Sequence, residues 1–107
     1  MEDRGHRALF STLAAKTRCR KLYQSITLEF AETGVRINVV APGPIETGML
    51  NRFTGTPEKK AALISGVPMK RIGQPKEVAA AILFLASDKA SFITGVSLAA
   101  DGGKLAR

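Results

Sequence analysis

Apolar positions and end signals mark out two longer helices, one short helix and two short strands. From Ala8 to Thr33 the residues favour a helix, with Leu22, Ile26 and Phe30 recurring at i+4 beside Cys19 and Tyr23, and with Gly34 as the stop. The second half of that stretch carries the pattern. In the first half, Lys16-Thr-Arg-Cys-Arg-Lys21 breaks the apolar stripe with charge where a core-facing helix stays small and apolar. Val35-Arg-Ile-Asn-Val-Val-Ala41 is short and β-branched, and it predicts a buried strand that empties into the loop Pro42-Gly43-Pro44.

Thr56 followed by Pro57 predicts an N-cap and first helical position, and the short helix they open stops at Ser65-Gly66. Gln74-Pro75 opens a stronger helix, Pro75 to Ser87. There Val78, Ile82 and Leu85 share one face, and Ala79, Ala81, Leu83 and Ala86 fill around it, which suits burial against a sheet. After the turn Ser91-Phe-Ile-Thr-Gly95, Val96-Ser-Leu-Ala-Ala100 predicts a second strand ended by Asp101-Gly-Gly103. The order is helix, strand, long loop with a small helix, helix, strand: one parallel crossover unit with a helix in front of it. Two parallel strands leave backbone groups and apolar surface unpaired, so such a unit calls for further strands along its edge.

Composition narrows the class. The chain has 107 residues with 45% hydrophobic residues and one cysteine, and no apolar run approaches the ~18–20 residues of a membrane span. A complete dinucleotide-binding sheet does not fit in this length. Cys19 has no partner for an internal disulfide and no signal peptide opens the chain, so a reducing cytoplasm is expected. The formal charge is +7, but residues 1–22 hold six bases against Glu2 and Asp3, a net of +4, and residues 23–107 hold ten bases against seven acids, a net of +3. The basic stretch offers only Phe10 as an aromatic, which argues against a nucleic-acid surface and for a solvated face. His6 and Cys19 stand at no metal-ligand spacing, so no metal is expected.

Six motifs in a fixed order then carry a resemblance. They are Ser25-Ile-Thr-Leu-Glu-Phe-Ala31, Gly34-Val-Arg-Ile-Asn-Val-Val-Ala-Pro-Gly-Pro-Ile-Glu-Thr47, Arg71-Ile-Gly-Gln-Pro-Lys-Glu-Val78, Phe84-Leu-Ala-Ser-Asp88, Ser91-Phe-Ile-Thr-Gly95 and Asp101-Gly-Gly103. From about Ser25 to Gly103 the chain resembles the carboxyl-terminal half of a classical short-chain dehydrogenase/reductase, in the 3-oxoacyl-[acyl-carrier-protein] reductase and glucose dehydrogenase branches. The resemblance implies an α/β fold, the C-terminal part of a Rossmann-type doubly wound parallel sheet. It also implies hydride transfer between NAD or NADP and a small-molecule carbonyl or secondary alcohol, and the homo-oligomers common in the family.

By that resemblance Pro42, Gly43, Ile45 and Thr47 line the nicotinamide end of the cofactor site. The backbone at Ile45 holds the carboxamide, and the Thr47 hydroxyl bonds to the carboxamide or to a phosphate. A loop at the carboxyl end of a parallel strand is where open α/β sheets place ligands, and a glycine lets backbone approach closely. Taken alone, Pro-Gly-Pro is also an ordinary strand-ending turn. Residues 48–69 correspond to the family's substrate loop, with Met49, Leu50 and Phe53 as apolar lid residues; a surface helical hairpin is the plainer alternative for any one of them. Asp101-Gly102-Gly103 resembles the tail that commonly lies near a subunit interface.

The family's chemistry rests on a Tyr and a Lys four residues apart on one helix. The Tyr moves the alcohol proton; the Lys lowers its pKa and binds the nicotinamide ribose. Counted back from Ser25, the lysine falls on Lys16, while the tyrosine position holds Thr12, whose hydroxyl is far too weak an acid for the task. Synonymous codons for Ser11-Thr-Leu-Ala-Ala-Lys-Thr-Arg-Cys-Arg-Lys21, displaced by one nucleotide, can spell Tyr-Ala-Ser-Ser-Lys-Asp-Ala-Val-Gln-Lys, the family's active-site helix in its proper place. Residues 1–23 are therefore expected to be translated out of frame, and residues 1–107 to be a partial dinucleotide-binding domain without its Gly-rich half. Two functional expectations follow: an oxidoreductase lineage present as an inactive fragment with Lys16 as its remaining catalytic residue, or a noncatalytic remnant that docks on a full-length family member.

Overall fold

A computed structural model describes residues 7–11 and 17–106, with side chains from Arg20 onward. The centre is strand β2 (Val35–Pro42), whose Val39 and Val40 are almost fully buried. A β-branched run with both faces covered is what a central parallel strand requires. On one side it pairs in parallel with β1 (Arg7–Ser11), Arg7 opposite Val35 and Ser11 opposite Val39. On the other it pairs in parallel with β3 (Ser97–Ala100), from Val39 opposite Ser97 to Pro42 opposite Ala100. The sheet order is β1-β2-β3.

Helix α1 (Thr17–Phe30) connects β1 to β2 and packs on β2. A single 3-10 turn follows at Ala31–Thr33, and Gly34 closes it at φ 82°, a left-handed conformation that glycine adopts without cost. Between β2 and β3 lie α2 (Gly48–Thr54), α3 (Pro57–Ser65) and α4 (Pro75–Ala86). Thr56 caps α3 as its sequence predicts, its hydroxyl accepting from Lys59 N at 3.3 Å. Glu77 reaches back to Gln74 N at 3.0 Å at the start of α4. The inner face of α4 is Val78, Ile82 and Leu85, and Leu85 is 1% exposed.

Two expectations are corrected. The helix predicted from Ala8 does not include Arg7–Ser11, which is a strand, and among the described residues it runs from Thr17. A run of three apolar residues has no period of its own, so the partner strand Val35–Val39 decides its conformation. Among the described residues the sheet therefore has three strands where the pattern gave two. The second correction is the buried face of α1: Leu22 is 60% and Phe30 41% exposed, while Thr27 is buried and Tyr23 and Ile26 are half-buried. Thr27 faces inward because its hydroxyl donates to the carbonyls of Tyr23 (2.7 Å) and Ile37 (3.3 Å).

The approach to β3 is fastened by side chains. Asn38, 1% exposed, donates to Ile93 O at 3.1 Å and accepts from Val96 N at 3.1 Å. Arg36 donates to Ile93 O and Ser87 O, and Thr94 Oγ1 accepts from Ile37 N. Arg36 Nε is buried without a partner, but the remaining bonds tie these side chains to named backbone atoms and so fix the geometry of the approach.

Candidate functional site at the carboxyl end of the sheet

The loop Pro42–Thr47 leaves the end of β2 and is held on two sides. Gly43 N donates to Ala100 O at 3.0 Å, extending the β2-β3 pairing by one bond. A Cβ on Gly43 would come within 2.8 Å of Asp101 Cα and Cβ, so its missing side chain is required by Asp101. The sequence reading assigns this glycine to close approach of a ligand; the structure adds a backbone reason independent of any ligand.

Two residues on, Ile45 forms an isolated parallel bridge with Gly73. Glu46 N donates to Gly73 O at 2.8 Å, and Gly73 N donates to Pro44 O at 2.9 Å. Gly73 makes both bonds with the residues that flank Ile45, and in extended backbone the N–H and C=O of Ile45 itself turn the other way. Ile45 thus presents a donor and an acceptor side by side on the face opposite Gly73. A carboxamide, with one carbonyl oxygen and one NH2, is the complementary group.

Thr47 is the N-cap of α2: its backbone is extended at φ −141° and its hydroxyl oxygen accepts from Leu50 N at 3.1 Å. Capping uses a lone pair and leaves the hydroxyl proton for an outward acceptor such as a carbonyl or phosphate oxygen. Pro42 and Thr47 are exposed, and Gly43 and Ile45 are half-buried. The four loop positions singled out in the sequence lie on one short segment. Lys16, like Thr12, lies outside the described residues.

In the lid region Met49 (72% exposed) and Phe53 (84%) stand one turn apart on α2, while Leu50 is half-buried. The sequence indicated one small helix here; the structure has two. Lys60 of α3 ties them to the loop, its ammonium lying 3.1 Å from both carboxylate oxygens of Glu46 and 3.2 Å from Asn51 Oδ1. That hydrogen bond from Lys60 holds the Glu46 carboxyl below its ordinary pKa. Below the bridge, Arg71 makes a two-pronged contact with Glu77, both N···O distances 2.8 Å. The Arg71 hydrogen bond, with the Gln74 N–H, lowers the Glu77 pKa to about 2.

Two clefts open around the loop, with volumes of about 460 and 450 Å³, in the range of small-molecule sites. Pro44 and Asp101 line both; Ile45 and Arg71 line the first, Gly43 and Lys104 the second. The sequence reading missed Glu46–Lys60, Gly73 and the contact of Asp101 with Gly43. Gly73 lies inside a quoted motif, and a glycine between Ile72 and Gln74 was a signal for close backbone approach. Among the described residues no group of His, Cys, Asp and Glu is placed to hold a metal ion, and no helix is long and apolar enough to cross a membrane.

Comparison with known proteins places the chain in a family. The model of the family described as Enoyl-(Acyl carrier protein) reductase matches residues 6–104. The chain is 48% identical over 86 residues to 4-formylbenzenesulfonate dehydrogenase of Comamonas testosteroni, covering 78% of this chain and 34% of that one. It is 39% identical over 99 residues to a 3-oxoacyl-[acyl-carrier-protein] reductase of Buchnera aphidicola, covering 92% and 40%. A crystal structure of a putative 2-deoxy-D-gluconate 3-dehydrogenase from Agrobacterium tumefaciens with bound NADP superposes with a TM-score of 0.81 at 29% identity, over 94% of this chain and 46% of that one. The chain spans between a third and two-fifths of the length of these curated relatives. It belongs to the short-chain dehydrogenase/reductase family.

Proposed function

We propose that residues 42–47 form the nicotinamide end of an NAD(P) site of a short-chain oxidoreductase acting on a small carbonyl compound or secondary alcohol, and that the 107-residue chain by itself does not turn over. The observation that carries the first part is the outward-facing N–H and C=O of Ile45 beside the free proton of Thr47. When bound, the nicotinamide supplies or accepts the hydride. The chain's own part is to fix the ring's orientation through Ile45 and Thr47 and to cover the substrate with Met49, Leu50 and Phe53. The second part rests on Thr12, which offers no acidic hydroxyl where the family has a tyrosine, with Lys16 left without the group it would tune.

Saturation-transfer NMR with NADP+ and with nicotinamide mononucleotide tests the site. Weak transfer to the nicotinamide protons that is lost in Ile45→Pro, which removes the N–H, supports it; transfer unchanged by that substitution refutes it. Turnover above background with a panel of ketones and alcohols would refute the inactivity. Sequencing the locus and its transcript tests the proposed origin of residues 1–23: a family-like Tyr and Lys in the neighbouring frame is expected, and its absence rejects it.

A second reading, a noncatalytic subunit docked on a longer family member, is favoured by one observation. Among the described residues β1 pairs only with β2, leaving its outer edge open, and Leu22, Leu28 and Leu83 are exposed. Co-purification with a full-length reductase from the same cells supports it; a monodisperse chain that never co-purifies excludes it.

A further inference from the structure

The tail after β3 touches two parts of the site at once. The Asp101 carboxylate folds the tail on itself, Oδ1 accepting from Gly103 N at 2.9 Å and Oδ2 from Leu105 N at 3.1 Å. That turn sets Asp101 against Gly43, where even a Cβ would not fit. The next residue, Gly102 at φ 66°, leaves no room for a side chain against Val67 Cγ1, 2.7 Å from where its Cβ would be, and its carbonyl accepts from Met69 N at 3.1 Å. Gly103 lies close to Pro68, where a Cβ would stand 3.3 Å from its ring. Three residues thus stand between the loop that begins at Gly43 and the segment Val67–Met69, where the chain returns from α2 and α3.

We propose that Asp101 is a positioning residue: by holding this turn it makes the tail a clasp that sets the Pro42–Thr47 loop against the lid's return segment. The inference rests on reading that loop as the nicotinamide end of the site. A carboxylate on a short stem gives each of the two backbone donors, Gly103 N and Leu105 N, its own oxygen. Gly43 meets Asp101, and Gly102 meets Val67, with no side chain of its own to yield, so a displacement of Met69 is passed through the Gly102 carbonyl to Gly43. Packed contacts of this kind shift as units. Such coupling is reciprocal, so a disturbance at Gly43 reaches the turn.

Amide hydrogen exchange of the 107-residue chain, followed by NMR without nucleotide, tests the clasp. In Asp101→Ala the Gly103 and Leu105 amides lose their acceptor. The clasp requires that Gly43 and Met69, which do not touch the carboxylate, also exchange at least about fivefold faster, the change one ordinary hydrogen bond allows. Asp101→Asn keeps one acceptor for Gly103 and should leave Gly43 and Met69 near wild type while Leu105 accelerates. Gly43→Ala probes the reverse direction and should speed Gly103 and Leu105. Acceleration confined to Gly103 and Leu105 in Asp101→Ala, or to the neighbours of residue 43 in Gly43→Ala, overturns the proposal. So do Gly43 and Met69 amides that are unprotected in the wild type. Failure of the nicotinamide reading appears separately, as unchanged saturation transfer in Ile45→Pro, and leaves these exchange rates as they are.

Discussion

Thr27 and Gly95 touch where α1 crosses the approach to β3: a Cβ on Gly95 would lie 3.1 Å from Thr27 Cγ2, and Gly95 sits at φ 77°. Gly95 N also donates to Ile37 O at 2.7 Å, the carbonyl that Thr27 reaches with its hydroxyl. Gly95→Ala meets both the left-handed backbone cost, about 1–2 kcal/mol, and this contact. Thr27→Val keeps the shape and loses the hydrogen bonds, about 0.5–1.5 kcal/mol. Urea unfolding followed by circular dichroism should rank Gly95→Ala as the more damaging; the reverse order would show that the contact yields.

Glu77 gives a pH dependence with a definite sign. Its folded pKa of about 2 lies below that of an unfolded carboxylate, so its contribution is complete above about pH 4.3 and fades as pH falls toward 2. A 13C titration of the Glu77 carboxyl should show the low midpoint. Arg71→Met should raise it only partway, since Gln74 N–H remains.

Lys60→Met should raise the Glu46 midpoint toward the ordinary carboxylate value, because the Lys60 hydrogen bond is the main cause of its depression. The same variant frees α3 from the loop, so limited proteolysis between Thr54 and Pro57 should quicken. A Glu46 midpoint indifferent to Lys60 would mean that the ion pair does not form in solution.

Gly73 and Ile45 form a pair that a double substitution can test. A Cβ on Gly73 would lie 2.9 Å from Ile45 Cδ1, the far end of a side chain, so Gly73→Ala should cost about 1–3 kcal/mol as overpacking. Ile45→Val removes that atom and should recover most of the loss in the double variant. Purely additive losses would place the strain in the backbone instead.

Lys70 is the described non-glycine residue with positive φ, at 57°, and its ammonium caps α3 through Ser65 O at 2.7 Å. Lys70→Ala loses the cap and keeps the strain; Lys70→Gly loses the cap and relieves it. Thermal melts should place glycine above alanine by about 1 kcal/mol, and alanine equal to or above glycine would contradict the strain.

Local chemistry was the legible part of the sequence. Gly34, Thr56-Pro57 and Gln74-Pro75 announced element ends because capping is settled within a few residues. Arg7–Ser11 was not legible, since a short apolar run becomes a strand only when a partner such as Val35–Val39 is beside it. The face of α1 was misjudged for a related reason. Periodicity placed Leu22 and Phe30 inward, but the close approach of Gly95 and the Ile37 carbonyl selects the small, hydroxyl-bearing Thr27. The loop residues Pro42 to Thr47 were found together because they are consecutive, whereas Asp101 and Lys60 joined them only through folding.

Asn38 has a consequence for how the sheet is assembled. A parallel strand of four residues, Ser97–Ala100, could slide along its neighbour by two positions and still satisfy its backbone while keeping the same side chains facing the core. The Asn38 amide removes that freedom, because its donor and acceptor match Ile93 O and Val96 N in one alignment only, and a misaligned copy would bury both groups without partners. One side chain thus acts as an alignment key for the last strand, and an Asn38→Leu chain would be free to zip in the wrong frame.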